Sequence, residues 1–252
     1  MTYCVGMRLD HGLIFMSDTR TNAGIDYIST FTKMHQWSVS GERAITVLSA
    51  GNLATTQAVM SVLDERTKVP ADRDPSILEA PTMFRVAELV GEVLSSTIAR
   101  HKGEGPNAES TFDATLIVGG QIVGMPSRLF LVYPEGNFIE ASADTPFLQI
   151  GETKYGKPIL VRAFEPSMSF AEAVKLLLVS FDSTIKANLS VGDPLDVAWY
   201  RNDSLDAMEP RRIGRDNPDW QAVSTGWGDA LRSAFGSLAD PDLDGLPDRF
   251  GP

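Results

Sequence analysis

The chain has 252 residues, 43% hydrophobic and 22% charged, with 21 Gly and 15 Pro, a profile that excludes a disordered or fibrous protein and suits one large globular domain. Lys and Arg number 22 against 33 Asp and Glu, a net charge of -11 with no basic, aromatic-studded stripe, so a nucleic-acid backbone is a poor partner. The single cysteine, Cys4, excludes an internal disulfide framework, and neither a basic-apolar leader nor an apolar run of roughly 20 residues is present; the expectation is a soluble, cytoplasmic protein without a membrane span.

Tyr3, Val5, Met7 and Leu9 alternate with Thr2, Cys4, Gly6 and Arg8, a period of two that predicts a half-buried strand. A second strand, 13–19, follows the three-residue loop Asp10-His11-Gly12, whose glycine suits the left-handed position of a bulged hairpin. With Leu9 opposite Leu13, Cys4 falls opposite Asp18, and Thr2 becomes a diagonal neighbour of Asp18 about 7–8 Å away. Strands are predicted at 27–32, 34–39 and 44–48, the last stopping at Ser49-Ala50-Gly51-Asn52. Leu53, Val59, Met60 and Leu63 then share one helical face, and 70–81 reads as an irregular, Asp- and Pro-rich connection.

A second helix buries Phe84, Val86, Leu89, Val90, Val93, Leu94 and Ile98 and ends near Lys102-Gly103. Strands return at 114–118, 129–132 and 137–140, the last two joined by a turn at Pro134-Glu135-Gly136. Ser169 and Glu172 have the spacing of a capping box and announce a third core helix, after which strand 195–200 closes the body. In the tail Trp220, Val223, Trp227, Leu231, Ala234, Phe235 and Leu238 recur at helical spacing, so this helix must bury two Trp on the body or on a neighbouring subunit. Strand pairs, two helices, strand pairs and another helix argue for α+β layers rather than a doubly wound parallel sheet.

Thr2 is the first chemical candidate. Removal of Met1, the usual fate of an initiator Met before a small residue, gives Thr2 a free α-amino group, so nucleophile and base share one residue. An ordinary α-amino pKa of about 7.7–8.0 leaves an appreciable neutral fraction. The Lys33 ammonium widens that fraction by like-charge repulsion, while Asp18 keeps Lys33 ionised and oriented. Spacing alone leaves the plain alternative open: a Thr without function and a surface ion pair worth little.

Weaker features are Cys4 with His35 or His11 as a thiol pair, although Cys4 reads better as a small core side chain. The tail pattern Asp240-x-Asp242-x-Asp244-Gly245 with Asp248 matches the start of a calcium loop, but the twelfth position is Gly251 rather than a bidentate Glu, and Pro241 and Pro247 fit an acidic tail.

The opening Thr2-Tyr3-Cys4-Val5-Gly6-Met7, the segment Ser17-Asp18-Thr19-Arg20-Thr21-Asn22-Ala23-Gly24-Ile25-Asp26 and Thr32-Lys33-Met34 resemble the start of a proteasome-type β-subunit, and above all Anbu, the bacterial proteasome-related peptidase family. That resemblance implies an N-terminal-nucleophile hydrolase with a four-layer αββα sandwich over 2–201, a C-terminal helical extension with an acidic tail over 202–252, and no cofactor or metal. Thr2 matches the family's catalytic threonine, Asp18 its supporting aspartate and Lys33 its lysine, with an Asp-to-Lys interval one residue shorter than in ordinary β-subunits. Gly51 resembles the oxyanion-hole glycine.

Later motifs depart from the pattern. Gly151-Glu152-Thr153 stands where Gly-Ser-Gly is usual, and a Glu152 carboxylate raises the pKa of the nearby amine unless Lys154 or Lys33 neutralises it. Asn188-Leu189-Ser190-Val191-Gly192 is a partial counterpart of Asp-x-x-Ser-Gly, in which Ser190 fills the serine role and the aspartate is missing. The implied activity is cleavage of peptides or unfolded proteins inside a ring or helical stack of identical subunits, with an unnamed ATP-dependent unfoldase as a further partner. The alternatives are a weakly active or non-catalytic assembly subunit and an amidase of small metabolites.

Overall fold

The computed structural model describes residues 2–22, 28–68, 75–102, 112–206 and 209–242. The chain runs β1 (Tyr3–Leu9), β2 (Gly12–Asp18), β3 (Arg20–Asn22), β4 (Ile28–Thr30), β5 (Met34–Val39), β6 (Arg43–Gly51), α1 (Leu53–Lys68) and α2 (Met83–Lys102). It continues with β7 (Ala114–Ile122), β8 (Arg128–Val132), β9 (Phe138–Glu140), β10 (Phe147–Gly151), α3 (Lys157–Ala163), α4 (Phe170–Ala187), β11 (Leu195–Arg201), β12 (Arg211–Ile213) and α5 (Pro218–Ser237). One antiparallel sheet has the order β10-β1-β2-β11-β12, the other β5-β6-β7-β8-β9, and β3-β4 forms a separate ribbon.

Three apolar layers glue the four. Ile45, Val47, Leu116 and Val118 of the second sheet pack on Val59, Val86, Val90 and Leu94 of α1 and α2. Tyr3, Val5, Ile14 and Met16 of the first sheet pack on Leu160 of α3 and on Leu177 and Phe181 of α4. Between the sheets, Cys4, Leu13 and Phe15 meet Leu48, Ile117 and Leu129. The result is an αββα sandwich with α5 added outside α4.

β1 was expected to be half-buried, yet only Arg8 in it is exposed, because a helical layer covers one face and the second sheet covers the other. The hairpin register also differs from expectation. Leu9 pairs with Gly12 and Cys4 with Ser17, so the turn is the two residues Asp10-His11 and the whole pairing moves by one. Gly12 is required for close approach rather than for a left-handed turn, since a Cβ there would lie 1.8 Å from the Tyr200 carbonyl oxygen of β11.

The strand expected at 27–32 is the short β4, paired with β3; residue 27 lies outside the described residues. The capping box is present: the Ser169 side chain accepts from the Glu172 N–H and the Glu172 carboxylate accepts from the Ser169 N–H. β3, β10, α3 and β12 carry no sequence expectation; α3 hides behind Gly156-Lys157-Pro158, although proline is well accommodated in a first helical turn.

In the tail helix, Trp220 is buried and its N–H is capped by the Asn217 side chain at 3.1 Å, but Trp227 is only half-buried, so the burial of two Trp on the body is corrected to one. Leu231, Phe235 and Leu238 stand exposed. α5 is tied to α4 through Asp182, which accepts from Ser224 Oγ at 2.5 Å and from Lys186 Nζ at 2.8 Å. Among the described residues no helix is long and apolar enough to cross a membrane.

Candidate active site

Thr2 heads β1 and is 9% exposed. Its carbonyl oxygen accepts the Glu152 N–H at 2.7 Å, delivered by the left-handed turn of Gly151 at the end of β10. One residue on, the Tyr3 N–H donates to Oδ1 of Asp18 at 3.0 Å. The one-residue change in hairpin register thus places Asp18 beside Tyr3, next to Thr2, rather than opposite Cys4.

Asp18 is fully buried and Lys33 nearly so. Lys33 Nζ donates to Asp18 Oδ1 at 2.7 Å and to the Arg20 carbonyl at 2.6 Å, and Asp18 Oδ2 accepts the Gly192 N–H at 3.3 Å. Burial pushes the Asp18 carboxyl above the usual carboxylate range, while the Lys33 ammonium and the N–H groups of Tyr3 and Gly192 pull it back. A buried pair of this kind is tolerable because each carboxylate oxygen has a further or separate partner. The Tyr3 and Gly192 N–H groups and the Arg20 carbonyl are backbone groups that sequence reasoning missed, since no side-chain pattern announces them.

Thr2, Lys33 and Gly51 line one cleft of about 360 Å³ between the approach to β5, the end of β6 and the first turn of α1. The Ser49 N–H donates to the Lys33 carbonyl at 3.0 Å and so fixes β6 against the lysine. Gly51 has φ of 121°, and a Cβ there would lie 2.4 Å from the Asp113 carbonyl oxygen; only glycine ends this strand without strain. His35 also lines the cleft, a residue that was read only as a partner for Cys4.

Glu152 is 7% exposed and its carboxylate accepts from Asn188 Nδ2 at 2.9 Å. Asn188 Oδ1 in turn accepts from Ser190 Oγ at 2.6 Å and from the Ser190 N–H at 3.0 Å. Ser190 therefore joins the site through Asn188 and Glu152. Lys33 pairs with Asp18, and among the described residues no cation pairs with Glu152.

Cys4 is wholly buried, and burial pushes its thiol up; its Sγ donates to the Ser49 carbonyl at 3.6 Å. The histidines lie elsewhere, His11 edge-on to Phe170 and His35 stacked on Trp37, so the thiol pair does not form. Asp244, Gly245, Asp248 and Gly251 of the calcium-loop pattern fall outside the described residues, and among the described residues no three His, Cys, Asp or Glu side chains gather as a metal site requires.

The proteasome-subunit family pattern matches residues 2–200. The fold superposes on Anbu (ancestral beta-subunit) from Yersinia bercovieri with a TM-score of 0.89 at 46% identity, covering 96% of this chain and all of that one. Anbu from Hyphomicrobium sp. strain MC1 gives 0.87 at 46% identity over the same shares of the two chains. The helical assembly of the Anbu complex from Pseudomonas aeruginosa gives 0.90 at 42% identity, with 97% of this chain and all of that one covered. No curated protein matches the chain. With the sandwich, the family match over four fifths of its length and these likenesses together, the chain belongs to the Anbu group of the proteasome-subunit family.

Proposed function

We propose that the protein is a self-compartmentalising threonine-type peptidase, in which residues 2–201 form the catalytic domain and 202–252 an extension. The observation that carries this reading is the convergence of Thr2, Lys33 and Gly51 on one cleft, with the buried Asp18–Lys33 pair behind it. After Met1 is removed, the Thr2 α-amine takes the Oγ proton, directly or through one water, as Oγ attacks the peptide carbonyl. The Gly51 N–H stabilises the oxyanion, a contribution of about 10²–10³ in rate for such donors. The C–N bond breaks as the leaving nitrogen takes the amine's proton; water then adds to the ester and regenerates Thr2. Lys33 disfavours protonation of the amine, and Asp18 holds Lys33 and the Tyr3 backbone in place. The Glu152 N–H fastens the Thr2 carbonyl, and the Glu152 carboxylate is held by Asn188, which in turn accepts from Ser190. Identical subunits would enclose the sites, as the Pseudomonas relative's helical assembly suggests.

A second reading, a weakly active assembly subunit, is favoured by one observation: Glu152, whose N–H binds the Thr2 carbonyl, is buried, and its carboxylate has an amide partner and, among the described residues, no cation. Its charge stabilises the protonated amine and opposes Lys33.

Intact mass before and after a peptide epoxyketone, which requires hydroxyl and free amine on one residue, separates the readings. Loss of Met1 with one adduct, absent in Thr2→Ala, supports the peptidase; a processed chain without adduct supports the second reading, and retained Met1 defeats the mechanism.

A further inference from the structure

The cleft beside Thr2 carries information about which peptide it accepts. Thr2 lies on its wall, so the space is open to the residue whose carbonyl reaches the Thr2 hydroxyl. Phe31, Ala50 and Leu53 give the walls apolar area, and Thr21, Thr56 and Gln57 give neutral hydrogen-bonding groups. Among the described residues the one charged side chain on the lining is Lys33, whose charge is matched by Asp18 behind the wall. Among the described residues no carboxylate lines the cleft.

Thr32 and Ser49 add further hydroxyl groups, and His35 adds an imidazole. Burial holds its pKa down, opposed by a hydrogen bond with the Thr32 backbone and by the charge of Asp64. Asp64 itself sits farther along α1, paired with Lys68 at 2.6 Å, and is not on the lining.

We propose that this cleft takes uncharged side chains of leucine, methionine or glutamine size at the residue preceding the scissile bond and rejects lysine and arginine, with His35 as the specificity-determining residue. This rests on the peptidase reading. A basic chain would leave water for a space that already holds the Lys33 ammonium and, among the described residues, offers no carboxylate, and an unpaired buried cation is among the costliest groups in a protein. A neutral amide finds hydroxyl and imidazole partners there, and an aliphatic chain finds the Phe31–Leu53 walls. A carboxylate at position 35 would supply the missing counter-charge.

The test compares fluorogenic tetrapeptides carrying Leu, Gln, Lys or Arg before the reporter amide, at pH 7.5. The wild-type oligomer should show kcat/KM at least tenfold higher for Leu and Gln than for Lys and Arg, and His35→Asp, at unchanged melting temperature and oligomer size, should reverse the order in favour of Arg. Equal or higher turnover of the basic peptides by the wild type, or no reversal in folded His35→Asp, would overturn the assignment. Because chemistry could fail independently, Thr2→Ala is titrated with pentapeptides ending in Leu or Arg by calorimetry and by the His35 imidazole NMR signal. Tighter binding of the Leu peptide with a shifted His35 signal upholds the cleft assignment even if nothing is cleaved, which would count against the peptidase alone. Equal binding, or binding without a His35 response, overturns it.

Discussion

The backbone N–H of Gly192 donates to Oδ2 of Asp18 at 3.3 Å across 174 positions of sequence. Asp18 Oδ1 meanwhile serves Lys33 and Tyr3, so one carboxylate joins β2, the approach to β5, β1 and the loop before β11. Its environment gives the pair a structural role alongside the chemical one proposed for it.

Breaking the pair from one side leaves a buried charge unpartnered. Lys33→Met is expected to abolish adduct formation at Thr2 and to destabilise the fold by about 3–5 kcal/mol, whereas Asp18→Asn with Lys33→Met costs less than the sum of the single changes. Urea midpoints of the three variants check this, and simple additivity would show the two side chains to be independent.

On the second reading the Glu152 carboxylate favours the charged amine, so Glu152→Gln, which keeps an acceptor for Asn188, should raise the rate of epoxyketone addition at pH 7. The midpoint of its pH–rate profile should move towards acid. An unchanged midpoint would mean that the carboxylate does not reach the amine electrostatically.

Alkali should loosen the protein at Tyr3. Burial raises this phenol to about 12, and hydrogen bonds with Ser180 at 2.8 Å and Gln149 at 2.5 Å only partly offset it. An acid whose folded pKa exceeds its unfolded pKa stabilises below the unfolded value, near pH 10, and loses that contribution as the pH rises towards 12. The loss approaches roughly 2–3 kcal/mol at about 1.4 kcal/mol per unit. Unfolding free energies between pH 9 and 11 should therefore fall less steeply in Tyr3→Phe than in the parent chain.

Gly51→Ala should separate geometry from abundance of folded protein. The added methyl must displace the Asp113 carbonyl, tilting the strand end that faces Thr2. Turnover is expected to drop by about 10²–10³. Single-turnover kinetics together with the melting temperature would show whether the loss lies in the chemical step.

The layered architecture is legible wherever periodicity is strong: α2, α4 with its capping box, β6 and β11 fall where their apolar patterns put them. Phe147-Leu148-Gln149-Ile150 is too short to stand out, although as β10 it pairs with β1 from Tyr3 to Met7 and supplies the backbone that grips Thr2. The hairpin register is misread for a physical reason: Gly12 answers to Tyr200 on β11, a neighbour 188 positions away, and local turn rules cannot see it. Thr2, Asp18 and Lys33 are visible as residue types, while the donors of Tyr3 and Gly192 belong to the backbone and appear only once the sheet is assembled.

The hydrogen bond from Glu152 to Thr2 and that from Gly192 to Asp18 also set a timetable. Residues at the start of the chain acquire their final surroundings only after nearly two hundred residues have been synthesised and both sheets have docked, contacts of long loop closure that form late. A nascent chain thus carries Thr2 without its final backbone partners, and the proposed nucleophile acquires them only together with completion of the fold.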